Sequence, residues 1–406
     1  MKKHIYIILP AFFPVPAVKG GAVETLVEMF IEQNEVEKKY KITVFSPYNE
    51  LSQKYSEKYE LTDFIYIKHT YYNNKWSKLK YKVSIIFHKL IHIRPYFLDD
   101  YHREVYNYIK KHELPEICIV EGGSATVEFK KISQIIGMDK MVLHVHYCKE
   151  KCKYEENIFS NIIFVSKFAK DTWDKQNNKG LYVLKNGIDI QKFAKNYTDE
   201  EIQKEREKLG FKENDFVVIF CGRLVEVKGI KELIQAILEI RYPNMKLLVV
   251  GSVSFGNAKV TEYQKEIEEL ASGSQKIKFT GFIHNDKIPI LYHLAQVAVV
   301  PSIYEEAAGL VVMEAMASGK PMVITRSGGM PEFVVNDGCI MVNKDKDTLV
   351  EELKIALEKL YLDNELCIKM GKINYEASKQ FDEKNYYNNF SKIIDEITEK
   401  SIKDIK

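Results

Sequence analysis

The chain has 406 residues, too many for one ordinary hydrophobic core, so we expect two domains of about 200 residues each. An apolar content of 46% is enough for buried sheets, and a net charge of +2 argues against a general nucleic-acid binder. The six cysteines show no framework spacing, which favours the reducing cytoplasm over an oxidising compartment.

The N-terminal run Ile5–Leu9 predicts the first buried strand of a parallel sheet. Two lysines precede it, as in a signal peptide, but Pro10 interrupts the run and a Gly20-Gly21 turn and a helix soon follow. No stretch reaches the roughly 20 apolar residues that a membrane span needs. We therefore expect a cytoplasmic protein that is either soluble or peripheral on the inner face of the cell membrane.

Short apolar runs alternate with helical patterns in both halves, which predicts α/β domains with doubly wound parallel sheets. In the first half we expect strands at 5–9, 41–45, 64–67, 117–120, 141–145, 162–165 and 182–184, and helices at 22–33, 101–111 and 167–173. In the second half we expect strands at 216–221, 246–250, 277–280, 297–300 and 321–325. These elements predict two Rossmann-like domains with a boundary near Lys185–Tyr197. The apolar spacing within 385–402 predicts a final amphipathic helix.

The segment from Glu306 to Glu314 predicts an anion site with a carboxylate on either side. A strand at 297–300 ends at a Pro-Ser pair, a glycine lets the chain turn, and a helical pattern follows. The backbone N–H groups of Gly309, Leu310 and Val311 would be unpaired at this helix start and would attract a phosphate. Because carboxylates repel phosphate, the two glutamates fit the hydroxyl-rich parts of the same ligand. The pattern indicates a sugar nucleotide.

Arg223 and Lys228 follow the predicted strand 216–221 at its carboxyl end, where parallel sheets bind ligands. Together they could neutralise a leaving diphosphate without a metal ion. No Asp-x-Asp metal motif stands in a comparable place, so we expect no metal and no cofactor apart from the nucleotide-sugar substrate.

These residues resemble the signature of the retaining family 4 glycosyltransferases of the GT-B fold, in which two glutamates are separated by seven residues, as Glu306 and Glu314 are. Further matching segments, in the expected order along nearly the whole chain, are Gly20-Gly21, Val165-Ser166, Asn186-Gly-Ile-Asp189, Gly222-Arg-Leu, Lys228-Gly229, Phe279-Thr-Gly281 and Gly328-Gly-Met-Pro-Glu332. The sequence departs from the family at Ala307-Ala308, where Pro-Phe or a similar pair ending in an aromatic residue is usual. That departure leaves more room near the donor sugar.

The resemblance implies two Rossmann-like domains facing a central cleft: residues 1–185 on the acceptor side and 186–385 binding the nucleotide sugar, with a last helix at 386–406 packed back on the first domain. It implies that Glu314 holds the ribose, that Glu306 orients the sugar, and that Arg223 and Lys228 stabilise the leaving group. It also implies that the backbone at Gly21 approaches the donor and that Gly281 and Phe282 recognise the base. For His146 it implies contact with the donor sugar and a catalytic role.

His144 and His146 lie at the predicted carboxyl edge of strand 141–145, on one face if the strand continues. Two other interpretations stay open for them. They could be structural histidines, or they could form a zinc site with Cys148 and Cys152, although the His-x-His-x-Cys-x-x-x-Cys spacing is not a common zinc arrangement.

The segment 68–94 holds seven Lys or Arg and no acid, interleaved with aromatic and aliphatic residues. One interpretation is a docking surface for an anionic membrane, which would make the acceptor a lipid-linked glycan. The other is an ordinary solvated face.

These patterns and the resemblance predict a hexosyltransferase that uses a nucleotide sugar, with UDP favoured because it is the usual donor nucleotide in the family. The predicted acceptor is a glycan in bacterial surface polysaccharide or glycoconjugate synthesis. A non-catalytic partner subunit of the same fold is the alternative, but it would be expected to have lost some of the glutamate, Arg or Lys positions. A dinucleotide oxidoreductase is disfavoured, because neither half supplies Gly-x-Gly-x-x-Gly after its first strand.

Overall fold

The computed structural model describes residues 2–68, 79, 82–83, 86, 90, 100–122, 127–148, 157–173, 180–252 and 261–403. The chain divides into two compact units. One comprises Met1–Gly187 together with Glu383–Lys406, and the other comprises Ile188–Asp382.

The first unit contains a seven-stranded parallel sheet in the order β3-β2-β1-β4-β5-β6-β7. Its strands are β1 Lys3–Ile8, β2 Tyr40–Pro47, β3 Thr62–Ile67, β4 Ile117–Glu121, β5 Met141–Val145, β6 Asn161–Phe164 and β7 Gly180–Val183. Its helices in the described part are Ala22–Glu37, Glu50–Ser56, Asp100–Ile109, Val127–Ile136, Lys167–Asp171 and Glu383–Lys403.

The second unit contains a six-stranded parallel sheet in the order β10-β9-β8-β11-β12-β13. Its strands are β8 Phe216–Cys221, β9 Met245–Val250, β10 Ile277–Gly281, β11 Val297–Val300, β12 Met322–Thr325 and β13 Cys339–Val342. Its described helices are Ile190–Phe193, Asp199–Lys208, Ile230–Glu239, Glu262–Ala271, Ile288–Leu294, Leu310–Ala317, Lys346–Leu362 and Asn364–Ser378.

Both sheets are covered on two faces, which explains why their strands are nearly continuous apolar runs. Along β8, Val218 and Phe220 pack with helices Ile230–Glu239 and Lys346–Leu362. The alternate residues, Val217 and Ile219, enter a separate core with helix Leu310–Ala317. The prediction of two Rossmann-like, doubly wound domains is therefore confirmed.

The C-terminal helix Glu383–Lys403 belongs to the core of the first unit. Phe390 and Ile394 are buried with Phe30 of helix Ala22–Glu37, and the Tyr387 ring stacks on Phe30 at 5.1 Å between centroids. Asn34 accepts a hydrogen bond of 3.1 Å from the Tyr387 hydroxyl. The apolar spacing in the sequence thus corresponds to a face buried against the first unit.

The strand order reverses beside β1 in the first sheet and beside β8 in the second. In open α/β sheets ligands bind at the carboxyl ends of the strands at such a reversal. Among the described residues, no helix has both the length and the apolar character that crossing a membrane requires.

Candidate functional site

In the second unit the reversal point lies between β8 and β11, and the loops that follow these strands carry the residues singled out in the sequence. The two loops are held against each other. Ile303 N donates a hydrogen bond of 3.0 Å to the Val227 carbonyl. Gly229 has φ 67°, and a Cβ there would overlap the carbonyl oxygen of Pro301. Glycine at 229 therefore permits the approach that brings Lys228 to the second loop.

Glu306 is buried and fully hydrogen-bonded within this pair of loops. Its Oε1 accepts from the Ser302 hydroxyl at 2.7 Å and from the Lys228 ammonium, and its Oε2 accepts from the Tyr304 hydroxyl at 2.7 Å. Lys228 Nζ also lies 5.1 Å from the centre of the Tyr304 ring. The sequence hypothesis gave Lys228 to a diphosphate and Glu306 to a sugar, whereas in the structure the two side chains are paired with each other.

The Gly328-Gly329 turn fixes the backbone of Glu306. Gly329 N donates to the Glu306 carbonyl at 2.7 Å, and Gly328 N donates to the carboxylate of Glu305 at 2.6 Å. Gly328 has φ 52°, and a Cβ there would overlap the backbone of Glu306. The glycine pair noticed in the sequence therefore allows a close backbone contact beside the site.

Helix Leu310–Ala317 begins directly after Gly309, its N-cap residue, and no side chain among the described residues caps it. The first N–H groups of a helix lack intrahelical acceptors, and the helix dipole makes this end attractive to an anion. The structure thus places Gly309, Leu310 and Val311 at an uncapped helix start three residues after Glu306. This arrangement can bind a phosphate group.

A largely apolar pocket lies at the carboxyl ends of β8, β9 and β10. It is lined by Cys221, Gly222, Arg223, Val250, Gly251, Ser252, Phe282, Ile283, Asn285 and Ile288. Gly281 has φ 68°, none of the described atoms lies within 4 Å of where its Cβ would be, and its carbonyl accepts from Gly251 N at 3.1 Å. Phe282 is 43% exposed beside it. A flat heterocycle can stack on such an exposed aromatic ring beside the accessible backbone of a glycine.

Glu314 lies next to this pocket. Its carboxylate accepts a hydrogen bond of 3.1 Å from Tyr292, and both Glu314 and Tyr292 interact with Cys221 on the pocket wall. Burial raises the pKa of Glu314 to about 7, although the Tyr292 hydrogen bond and Lys192 oppose the rise. Tyr292 could not be found by motif, because its contact with Glu314 arises only when helix Ile288–Leu294 packs beside the site.

In the first unit, Gly21 precedes helix Ala22–Glu37 with φ 111°, in agreement with a tight strand-to-helix turn. The carboxyl of Glu24 folds back over this turn, so that a Cβ on Gly21 would overlap it. Burial raises the pKa of Glu24 to about 7, and Glu121 adds to the rise. The helix start that the sequence assigned to donor approach is therefore covered by an acid of the same helix.

His146 lies just beyond β5, where its Nε2 is 2.7 Å from Glu121 Oε2 at the end of the neighbouring strand β4. His144 Nδ1 is 3.0 Å from the same oxygen. The zinc alternative included Cys152, which lies outside the described residues. Glu121 was missed in the sequence, although its place at the end of an apolar strand and before Gly122 is a signal that could have indicated it.

Comparison with known proteins relates this architecture to glycosyltransferases. Residues 201–377 match the family Glycosyl transferases group 1. The chain is 33% identical over 198 residues to a D-inositol 3-phosphate glycosyltransferase of Corynebacterium jeikeium, covering 47% of this chain and 46% of that protein. It is 30% identical over 228 residues to a lipopolysaccharide 1,2-N-acetylglucosaminetransferase of Salmonella typhimurium, covering 54% of this chain and 58% of that protein. The chain thus spans about half the length of these curated relatives.

Among solved structures, HepE of Anabaena in complex with UDP is similar over 98% of this chain and 100% of that chain, with a TM-score of 0.70 and 18% identity. At this identity the likeness shows the fold alone. Together with the two Rossmann-like sheets, it confirms the GT-B fold.

Proposed function

We propose that the protein is a glycosyltransferase of the retaining family 4 type, which moves a hexose from a nucleoside diphosphate sugar to a hydroxyl of a glycan acceptor. The observation that carries this proposal is the pairing of buried Glu306 with half-buried Lys228 beside the helix start at Gly309. An anion site adjoining a carboxylate fits a ligand with a phosphate and a hydroxyl-rich part. The match of residues 201–377 to Glycosyl transferases group 1 supports the same class.

In this proposal the nucleoside occupies the pocket at the ends of β8, β9 and β10. The base lies near Gly281 and Phe282, and Glu314 accepts hydrogen bonds from the ribose hydroxyls. The electrostatic interaction of Glu314 with Cys221 on the pocket wall supports this assignment. UDP is favoured as the nucleotide, since the similarly folded HepE was solved with UDP.

The diphosphate then lies at the amides of Gly309, Leu310 and Val311, with Arg223 and Lys228 beside it. The bond between the anomeric carbon and the phosphate oxygen breaks, and the acceptor oxygen bonds to that carbon on the same face. The departing phosphate takes the acceptor's proton. Preorganised N–H groups and cations stabilise the charge that develops on the leaving group. An ammonium has three N–H donors, so Lys228 can hold Glu306 and a phosphate oxygen together.

Charge neutralisation by side chains and a helix start makes a metal ion unnecessary for this chemistry, so we also propose a metal-independent reaction. Activity should survive excess EDTA. Loss of turnover in EDTA with recovery on adding manganese or magnesium would contradict the proposal.

The acceptor is proposed to be a growing glycan of a bacterial surface polysaccharide or glycoconjugate. The relative from Salmonella, named as a lipopolysaccharide transferase, supports this class. The donor is tested first: a panel of UDP-, GDP- and ADP-sugars is screened by thermal shift and by release of the nucleoside diphosphate. We expect one nucleotide series to stabilise the protein and to be slowly hydrolysed. A protein that responds to none of them, or only to NADH or NADPH, would overturn the proposal.

A peripheral location on an anionic membrane is proposed from the segment 68–94, most of which lies outside the described residues. Of its described positions, Leu79, Val83, Ile86 and Leu90 are helical with spacings of four, three and four. In a continuous helix, such spacing would put them on one face. Leu79, Ile86 and Leu90 are 52%, 57% and 72% exposed. Exposed apolar residues in a segment with seven cationic and no acidic residues fit an anionic lipid surface.

Sedimentation with phosphatidylglycerol vesicles tests this location. Replacement of Lys75, Lys78, Lys80 and Lys82 by Ser should release the protein, since each cation contributes about 1 kcal/mol near such a surface. Serine at Leu79, Ile86 and Leu90 should also release it, at any salt concentration. Replacing four exposed lysines of the other unit, at positions 204, 208, 265 and 369, is the matched control and should leave binding unchanged. Wild-type protein that does not sediment at low salt would refute the membrane location.

A further inference from the structure

A buried trio of ionisable side chains occupies the carboxyl edge of the first sheet. Glu121 is the last residue of β4 and lies in register with His144 of β5, and His146 follows two positions later. The side chains of Glu121, His144 and His146 are 1%, 0% and 12% exposed. One edge of His146 is thus the part of the trio that solvent or a ligand can reach.

The hydrogen bond between His146 and Glu121 determines which ring nitrogen is protonated. Burial alone would raise the pKa of Glu121, but the two histidines outweigh it and hold that pKa well below its usual range. An ionised carboxylate can only accept, so the bond of 2.7 Å requires the proton on His146 Nε2. Burial, together with His144, lowers the pKa of His146 and favours its neutral ring. Nδ1 of the neutral ring then carries a lone pair.

The same three side chains could in principle hold a metal ion, because their ligand atoms lie within 4.8 Å of one another. Two ligands bound tetrahedrally at 2.0–2.1 Å from one zinc ion lie about 3.3 Å apart. The observed separations from Glu121 Oε2 are 2.7 Å to His146 and 3.0 Å to His144, both shorter than that. The His146 distance is that of a hydrogen bond, and both distances are shorter than shared coordination of one zinc ion requires.

We propose that Glu121 is a positioning residue that holds His146 by Nε2, so that Nδ1 is presented as a hydrogen-bond acceptor to a hydroxyl of the bound substrate. The inference rests on the proposed glycosyl transfer, since that reaction supplies a hydroxyl-rich ligand. With this tautomer fixed, His146 Nδ1 accepts a hydrogen bond from a hydroxyl of the ligand, whereas a carbonyl oxygen at the same place would be disfavoured.

The first test concerns the tautomer and needs no activity. The ¹⁵N shifts of the ring nitrogens in histidine-labelled protein identify which nitrogen carries the proton. His293 is an internal reference, because its Nε2 lies 2.7 Å from the Phe193 carbonyl, which can only accept. We expect His146 and His293 to show the same Nε2–H tautomer in the wild-type protein. An Nδ1–H tautomer for His146 would overturn the proposal.

The second test separates positioning from a merely structural role. Glu121→Gln should lower kcat about tenfold to a hundredfold through misplacement of His146, with nucleotide affinity nearly unchanged. Glu113→Gln, at an exposed carboxylate of the same unit, is the control and should retain wild-type turnover. A Glu121→Gln enzyme with wild-type kcat would overturn the proposal. If the wild-type enzyme acts on no sugar nucleotide, the proposed function fails, while the tautomer test still stands.

The pH profile provides a third readout. Among the described residues, the ionisable groups that face the pair are Glu24 of helix Ala22–Glu37, His144 of β5 and Tyr386 of the C-terminal helix. Glu121 is the group that raises the His146 pKa, so Glu121→Gln should move the acidic limb of kcat/KM to lower pH. An unmoved limb would contradict the proposal. Stoichiometric zinc in the purified protein, lost in His144→Ala, would replace the proposal with a metal site.

Discussion

Lys228 and Glu306, which are 78 positions apart in the chain, form an ion pair in which the carboxylate is almost fully buried. The pair joins the loops that follow β8 and β11, at the point where the strand order reverses. Each side chain thus has a structural role before any ligand binds. This dual role determines what substitutions at either position should do.

Lys228→Ala should lower both activity and stability. Turnover should fall by about two to three powers of ten, because a cation that offsets leaving-group charge is lost. The free energy of unfolding should fall by about 1–3 kcal/mol, since Glu306 keeps Ser302 and Tyr304 but loses its counter-charge. Urea unfolding of Lys228→Ala, of Glu306→Gln and of the variant that combines both substitutions measures the coupling. If the loss of unfolding free energy in the double variant equals the sum of the two single losses, the pair is uncoupled.

Arg223→Ala should affect catalysis alone. Arg223 is exposed at the rim of the pocket beside Gly222. Its removal should lower turnover by about two to three powers of ten while the melting temperature stays within experimental error. Arg223→Lys should recover part of the rate, since it keeps the charge but loses the planar fork. A natural acceptor glycosylated at the wild-type rate by Arg223→Ala would remove this residue from the mechanism.

Donor affinity should rise with pH through neutrality. Because the pKa of Glu314 is raised to about 7, its carboxyl is protonated below that pH and cannot accept two ribose hydrogen bonds at full strength. A sugar nucleotide that binds the ionised form releases a proton, so its Kd should fall by up to about tenfold per unit between pH 5.5 and 7 and level off above 8. Calorimetry with UDP-glucose in two buffers of different ionisation enthalpy detects that proton. Glu314→Gln should bind more weakly and without this pH dependence.

The same shift has a definite sign for stability. The folded state holds a proton on Glu314 that the unfolded chain has already lost above its ordinary pKa of 4.5. The contribution of this group to stability is therefore fully present below about pH 4.5 and is lost as the pH rises through 7. Glu314→Gln should flatten this part of the stability profile. A variant whose profile parallels that of the wild type would contradict the raised pKa.

Gly229→Ala should destabilise the second unit more than Gly273→Ala does. Both glycines have positive φ, 67° and 75°, so both substitutions strain the backbone. A Cβ at 229 would overlap the Pro301 carbonyl, whereas none of the described atoms lies within 4 Å of one at 273. We expect about 1 kcal/mol of destabilisation at 273 and at least twice that at 229, with reduced turnover only at 229. Equal losses in thermal or urea unfolding would show that the loop contact is unimportant.

Much of the fold could be predicted from the sequence, because strands buried on two faces are apolar runs whose order alternates with helices. β13, Cys339–Val342, was not predicted, since four residues at a sheet edge leave a weak pattern. The sequence could single out Lys228 and Glu306, but it could not show that they pair with each other. A motif gives no distance between residues on different loops, so the contact of Lys228 with Glu306 could not be predicted. The position of the Glu24 carboxyl over the Gly21 turn likewise depends on folding that no motif shows.

The first unit is built from both ends of the chain, because helix Glu383–Lys403 completes the core around Phe30. During synthesis this helix leaves the ribosome only after the whole of residues 188–382. The unit that is translated first is therefore the last to be able to finish folding, and until then the apolar surface of helix Ala22–Glu37 lacks its cover. A nascent chain of this kind exposes hydrophobic surface that chaperones recognise, and truncation near residue 383 would make that exposure permanent.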